Sequence, residues 1–250
     1  MTVLNEADAV YLGGQAVDAV YAGANKVWPA APPVLTYPET VLAKNPQGYW
    51  RLGQATGAVP DLTGNNRPMT VSGAAATAAS LLPNGDGAST ALSGGAIVTA
   101  NLVGQFFSFS NSLTYEVWMR PTSFPGNSAQ IGALVNSGLF VVLISTGQIV
   151  LAQGWAGTPT KVASASNIQI NTAYHIVVTS TDDNISNLYL NGADATGIVT
   201  PRTVTSASGR ITISTGGQTA LAAQLQEIAY YDRPLSLTEA QENYAAGGGT

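Results

Sequence analysis

The sequence predicts an all-β protein in which two antiparallel sheets pack as a sandwich, with a small N-terminal β module and short flanking helices. Three observations carry this expectation. From about residue 48 to residue 217, short apolar stretches alternate with turn residues, and no helix-length pattern interrupts them. The 27 glycines and 13 prolines among 250 residues cut the chain into segments of strand length. The clearest segment, Tyr174 to Gly192, reads as a hairpin. Tyr174, Ile176 and Val178 alternate with His175, Val177 and Thr179; an Asp182-Asp183-Asn184 turn follows; Leu188 and Leu190 resume the pattern before Asn191-Gly192.

In chain order, the first thirty residues carry an internal repeat. Asp8-Ala-Val-Tyr-Leu-Gly13 is echoed by Asp18-Ala-Val-Tyr-Ala-Gly23, each copy a short strand closed by glycine, and the segment ends at Lys26-Val27-Trp28-Pro29. It is too short to hold a core alone, so residues 1–30 are expected to be a β module for assembly or oligomerisation, packed on a neighbouring subunit rather than on its own sandwich. Residues 31–47 are expected to be a proline-rich linker and a short helix over Tyr37–Lys44, stopped by Asn45-Pro46. The sandwich is expected over residues 48–250. Its strands are predicted near Gly48–Gly53, Met69–Val71, Ala96–Val98, Phe106–Phe109, Leu113–Arg120, Ile131–Asn136, Leu139–Ile144, Ile149–Gln153, Lys161–Ala163, Tyr174–Ser180, Leu188–Leu190, Arg210–Ile213 and Gln226–Asp232. A closing helix is expected after Arg233-Pro234, capped by Ser236 with Glu239 three residues on and ended by Gly247-Gly248-Gly249.

Composition removes several function classes. There is no cysteine, which excludes disulfide scaffolds, thiolate zinc sites and cysteine nucleophiles. His175 is the only histidine, so a multi-histidine metal centre is excluded as well. Lysines and arginines are scattered singly within a net charge of −5, and no basic stripe follows a phosphate backbone; nucleic acid is not an expected partner. No apolar run is long enough to span a bilayer, and residues 1–10 lack the basic start and apolar core of a signal peptide. Neither membrane insertion nor export by the general secretory route is expected.

Four segments, in order, resemble one family: Gly48-Tyr-Trp-Arg-Leu-Gly53 with its Asp61-Leu-Thr-Gly-Asn-Asn66 loop, Leu113-Thr-Tyr-Glu-Val-Trp-Met-Arg-Pro121, the Tyr174–Gly192 hairpin, and Glu227-Ile-Ala-Tyr-Tyr-Asp-Arg-Pro-Leu-Ser236. They are similar to the laminin G-like, or concanavalin A-like, jelly roll, over about residues 48–245. The resemblance implies two curved sheets, and a family whose members mostly bind glycans or proteins while a minority are glycosidases. The opening repeat, with its Val27-Trp28-Pro29 ending, is similar to a module of minor tail proteins of phages that infect actinobacteria.

The candidate site residues follow. Glu116 and Trp118 lie on the face of their strand opposite Leu113, Tyr115, Val117 and Met119, where an acid beside an indole makes a sugar platform; the alternative is a framework Glu116 paired with Arg120 or a backbone amide. Trp155, in Gly154-Trp-Ala-Gly157, and Phe124, in Ser-Phe-Pro-Gly126, are candidates for stacking on a sugar ring. His175 is expected to be a packed ring. Glycoside hydrolysis needs two carboxylates across the scissile bond, and the tandem acidic strand of related glucanases is absent, as is a Gly-x-Ser-x-Gly elbow. The resemblance also implies a calcium ion, with Asp61, Asn65 and Glu227 as ligands; against it, Gln226 stands where the family often has Asp, and Asp61 has the alternative role of a loop cap.

The expected protein is therefore a non-enzymatic virion component at the tail tip. Its expected partners are other phage tail proteins and a host cell-wall glycan, and the resemblance implies a homotrimer. A carbohydrate-active enzyme and a purely structural tail decoration are the alternatives.

Overall fold

The structure is a computed structural model, and it describes residues 11–12, 15–16, 19–22, 25–28, 35–93, 97–100, 107–109, 112–135, 139–153, 160–181, 186–200, 207–214 and 220–250. The chain forms two compact units, Met1–Leu35 and Thr36–Thr250.

In the first unit, β1 (Tyr11–Leu12) pairs with β2 (Gln15–Ala16), and β3 (Val20–Ala22) pairs with β4 (Asn25–Trp28). Tyr11 and Tyr21, equivalent in the repeat, each sit in the leading strand of an antiparallel hairpin.

The second unit opens with α1 (Tyr37–Leu42) and continues through β5 (Gly48–Trp50), β6 (Gly57–Val59), β7 (Met69–Ser72), β8 (Ala75–Ala78), β9 (Ser89–Ser93), β10 (Ile97–Ala100) and β11 (Phe107–Phe109). Then come β12 (Leu113–Pro121), β13 (Ser128–Val135), β14 (Leu139–Ile144), β15 (Ile149–Gln153), β16 (Thr160–Ser164), β17 (Tyr174–Ser180), β18 (Ser186–Leu190), β19 (Ala193–Asp194), β20 (Thr196–Val199), β21 (Ala207–Ile213), β22 (Ala222–Tyr231) and α2 (Leu237–Ala246). One sheet runs β20-β16-β15-β14-β13-β21-β10-β7-β6, with β11 also on β21; the other runs β19-β18-β17-β12-β22-β9-β8, with β5 also on β22. Every pairing among the described strands is antiparallel, as the sequence predicts. The β17–β18 hairpin takes the expected register, Ile176 opposite Leu190 and Val178 opposite Leu188. Its turn at Asp182-Asp183-Asn184 lies outside the described residues.

The main core lies between the sheets. Leu113, Tyr115, Val117 and Met119 of β12, Ile176 and Val178 of β17, and Leu225 and Ile228 of β22 meet Ile131, Leu143, Leu151 and Ile211 of the other sheet. A buried aliphatic side chain contributes about 1.5–3 kcal/mol, so this layer supplies most of the drive to fold. A second apolar layer covers the outer face of the β12 sheet: Tyr37 and Val41 of α1, Ala240 of α2, and Trp118, Val177, Ala229 and Tyr231 of the strands beneath.

That second layer revises the expected boundaries. The short helix assigned to the linker belongs to the sandwich, because Tyr37 and Val41 are fully buried on it, and the unit begins at Thr36. Both helices start at capping boxes, in which Thr36 or Ser236 exchanges hydrogen bonds with Glu39 or Glu239. The Ser236–Glu239 box is the one the sequence predicts. Ser236→Ala is expected to cost about 1 kcal/mol in chemical denaturation, the usual value of a lost helix cap. The hydrogen bond from Arg233, at 2.7 Å, lowers the Glu239 carboxyl from its usual 4.5 to about 2. A lowered pKa means that this group stabilises the fold above the usual value and loses that contribution as pH falls toward the lowered one.

Candidate functional site

The densest polar cluster is built around Glu116. On β12 it stands opposite Val177 of β17 and Ala229 of β22, just before the point where the β12–β22 register shifts. Its carboxylate is fully buried and accepts from four side chains on four elements. Oε1 accepts from Tyr37 Oη on α1 and His175 Nε2 on β17, both at 2.8 Å. Oε2 accepts from Tyr231 Oη on β22 at 2.8 Å, and Asn243 Nδ2 on α2 spans both oxygens at 3.0 and 2.9 Å. Burial alone raises this carboxyl; the hydrogen bond and charge of His175, with those of Tyr231 and Tyr37, outweigh it and hold the pKa below the usual value. An ionised carboxylate only accepts, so His175 Nε2 carries a proton.

Trp118, opposite His175 across β12 and β17, completes the cluster. Its ring centroid lies 5.1 Å from that of His175 and 5.7 Å from that of Tyr244, which stacks on it from α2. The alternation that the sequence predicts for β12 therefore holds, with Glu116 and Trp118 turned away from the main core. The sugar platform expected of them does not, since Glu116 is 0% and Trp118 2% exposed. Both helices lie on this face, and every Glu116 lone-pair direction is taken up within the fold. The local alternative also needs correction, since the partners of Glu116 are Tyr37, His175, Tyr231 and Asn243 rather than Arg120 or a backbone amide. His175 is the packed ring expected.

The residues proposed for calcium do not converge on an ion. Asp61 Oδ1 accepts from the backbone N–H groups of Tyr49 and Thr63 and from the Thr63 hydroxyl at 3.3, 3.0 and 2.7 Å, and Oδ2 accepts from the Arg67 N–H at 3.2 Å. It is a loop cap. Asn65 Nδ2 donates to the Gln47 carbonyl at 3.1 Å. Glu227, buried on β22 at a left-handed φ of 53°, accepts from Tyr49 Oη and from Arg51 Nε, the latter at 2.8 Å. The guanidinium reaches on to Asp86 Oδ2 at 2.9 Å. A cation is thus built into the chain beside Glu227, and no group of three acidic or histidine side chains suited to a metal occurs among the described residues. These residues do not fit calcium, whose site needs several convergent oxygens. Addition of a chelator is expected to leave the melting temperature unchanged in a thermal scan; a drop reversed by calcium contradicts this.

Phe124 is half-buried and packs on the main core, with its ring against Gly147, so it is a packing residue. Trp155 lies outside the described residues. Sequence reasoning missed Tyr37, Tyr231 and Asn243 as partners of Glu116, and Arg51 as the partner of Glu227. The only available signal was that Tyr49 and Arg51 share a face of their strand.

The family model of the concanavalin A-like lectin/glucanases superfamily matches residues 84–241, more than half of the chain. The chain belongs to this superfamily. Solved structures share the fold of its lectin-like sandwich at low sequence identity. Domain 4 of an extracellular arabinanase from Geobacillus stearothermophilus, in complex with arabinotriose, is 15% identical with a TM-score of 0.60, and the match covers 78% of this chain and 99% of that one. A Trypanosoma rangeli sialidase is 14% identical with a TM-score of 0.55, covering 79% of this chain and 32% of that one. The botulinum neurotoxin serotype G binding domain is 16% identical with a TM-score of 0.60, covering 80% and 51%. The chain thus spans about a third of the sialidase and half of the neurotoxin binding domain. No curated protein sequence matches it. The superfamily match begins after Gly48–Gly53 and the Asp61 loop, yet β5 is hydrogen-bonded to β22 and belongs to the sandwich.

Proposed function

We propose that the chain is a phage minor tail protein, a virion component at the tail tip whose lectin-like sandwich contributes to recognition of a host cell-surface glycan without hydrolysing it. The observation that carries the binding half of this reading is the superfamily fold with its two buried carboxylates closed off. Glu116 is saturated by four side chains and Glu227 is neutralised by Arg51, so neither is presented to a glycosidic bond as hydrolysis requires. The arabinanase domain in complex with arabinotriose supports a glycan as the ligand class. The tail assignment draws on the opening repeat, each copy of which leads one hairpin of a unit separate from the sandwich.

The test is binding of the full chain to an array of bacterial cell-wall polysaccharides and oligosaccharides, with adsorption to host cells alongside. Retention of one glycan class with no released sugar is expected. Absence of binding overturns the lectin role, and release of reducing ends overturns the non-enzymatic one. The homotrimer belongs to the same proposal, because repetition of a weak site adds avidity, and a mass three times that of the chain is expected in solution.

A further inference from the structure

The chain has two Asn-Gly steps, Asn84-Gly85 and Asn191-Gly192. At such a step no Cβ on the second residue shields its peptide nitrogen, which can attack the carbonyl carbon of the asparagine side chain. Both steps touch α2, and the fold treats them differently. Asn191-Gly192 joins β18 to β19 and is enclosed. Gly192 is buried at a φ of 70°, and a Cβ there would meet Tyr244 at 3.1 Å and Gln241 at 3.5 Å, both on α2. Asn191 is tied to β17 through one residue: its N–H donates to the His175 carbonyl at 2.9 Å and its Oδ1 accepts from the His175 N–H at 2.8 Å.

Asn84-Gly85 lies in the loop between β8 and β9, and both residues are exposed. A Cβ on Gly85 would meet nothing within 4 Å, so the backbone there has room to change shape. Asn84 Oδ1 accepts from the Asp86 N–H at 3.0 Å, a bond that folds the carboxamide back over the Gly85 peptide and polarises its carbonyl. The Gly85 N–H donates to the Leu82 carbonyl at 2.9 Å, a surface turn bond of the kind that local opening releases. The same asparagine clasps the end of α2. Its N–H donates to the Gly247 carbonyl at 3.0 Å, and its Nδ2 donates to the Ala246 carbonyl at 3.1 Å.

We propose that Asn84 is a site of spontaneous deamidation by water, and that its conversion releases the end of α2. The Gly85 nitrogen gives its proton to hydroxide and bonds to Asn84 Cγ; the Cγ–Nδ2 bond breaks, and the amide group leaves as ammonia with a proton taken from water. A second water opens the cyclic imide on either side, leaving aspartate or isoaspartate in the loop. The new carboxylate cannot donate to Ala246. It also adds negative charge at the C-terminal end of a helix, where the macrodipole is already negative. The end of α2 carries Asn243 and Tyr244, which cover Glu116 and Trp118, so loosening begins over that cluster.

The test holds the full chain at mildly alkaline pH and follows it by peptide mass spectrometry, with thermal melts of the same samples and a urea-unfolded chain as control. A gain of about one dalton is expected at Asn84 at least about tenfold sooner than at Asn191, where opening requires α2 to move. The melting temperature is expected to fall in step. Fresh Asn84→Asp is expected to reproduce the fall at neutral pH and to approach wild type in acid, where its carboxyl is neutral. Asn84→Gln, whose longer side chain closes a ring far more slowly, is expected to keep its starting melting temperature through the incubation. Asn84 that stays intact in the folded chain overturns the site, as does conversion of Asn191 at an equal rate. Conversion of Asn84 with no change in melting temperature overturns the release of α2.

Discussion

Glu116→Ala is expected to destabilise the sandwich by about 3–5 kcal/mol, the usual cost of removing one partner of a buried ionic cluster. The loss exceeds that of an ordinary carboxylate because four donors, Tyr37, His175, Tyr231 and Asn243, lose their acceptor in a layer sealed from water. Glu116→Gln is expected to be little better, since its amide N–H groups must face donors that already point inward. Denaturant titration followed by circular dichroism reads the effect, and a loss below about 1 kcal/mol contradicts it. The pH dependence has a definite sign. Glu116 has a lowered pKa, so its contribution is complete above the usual carboxyl range and disappears as pH falls through the lowered value. The alanine variant therefore loses most at neutral pH and least in acid.

Arg51→Met is expected to cost about 2 kcal/mol at neutral pH, less than for a fully sealed pair because the Arg51 side chain is 30% exposed and water screens it. The sign here is opposite in origin. Burial already raises the Glu227 pKa against the hydrogen bonds of Tyr49 and the charge of Arg51, and removal of the arginine raises it further. A raised folded-state pKa gives stability that is present at low pH and lost as pH rises through that value. The deficit of Arg51→Met is thus expected to grow from acid to neutral pH, as pH rises through the raised Glu227 value, and Glu227→Gln added to it is expected to recover most of the loss. Denaturation of the single and double variants in acid and at neutral pH checks this, and a pH-independent deficit contradicts it.

Strands with a strong apolar alternation were legible in the sequence: β12 and β17 appear within a residue of their predicted bounds, and the faces of β12 are as expected. The strands that escaped notice are those built from small residues. Ala75–Ala78 and Ser89–Ser93 offer alanine, serine and threonine with a single leucine, a composition with no period to read, and they become strands only because β22 and β9 offer edges to pair with. The site was less legible than the fold. That Glu116 turns away from the core follows from alternation, whereas what covers it depends on α1 and α2, which lie 79 and 127 residues away in the chain at Tyr37 and Asn243. No local pattern encodes such a meeting. The same holds for Arg51 and Glu227, 176 residues apart, where a strand-face argument indicates a side but not a partner.

The Glu116 cluster has a mechanical consequence. Tyr37, near the start of the second unit, and Asn243, near its end, hold the same carboxylate. The first and last helices of this unit are thus fastened to one buried carboxylate, so tension drawn between them is expected to load this knot of hydrogen bonds and its packed rings first. The sheets, whose strands lie between those two helices in the sequence, are expected to bear load only once the knot gives way.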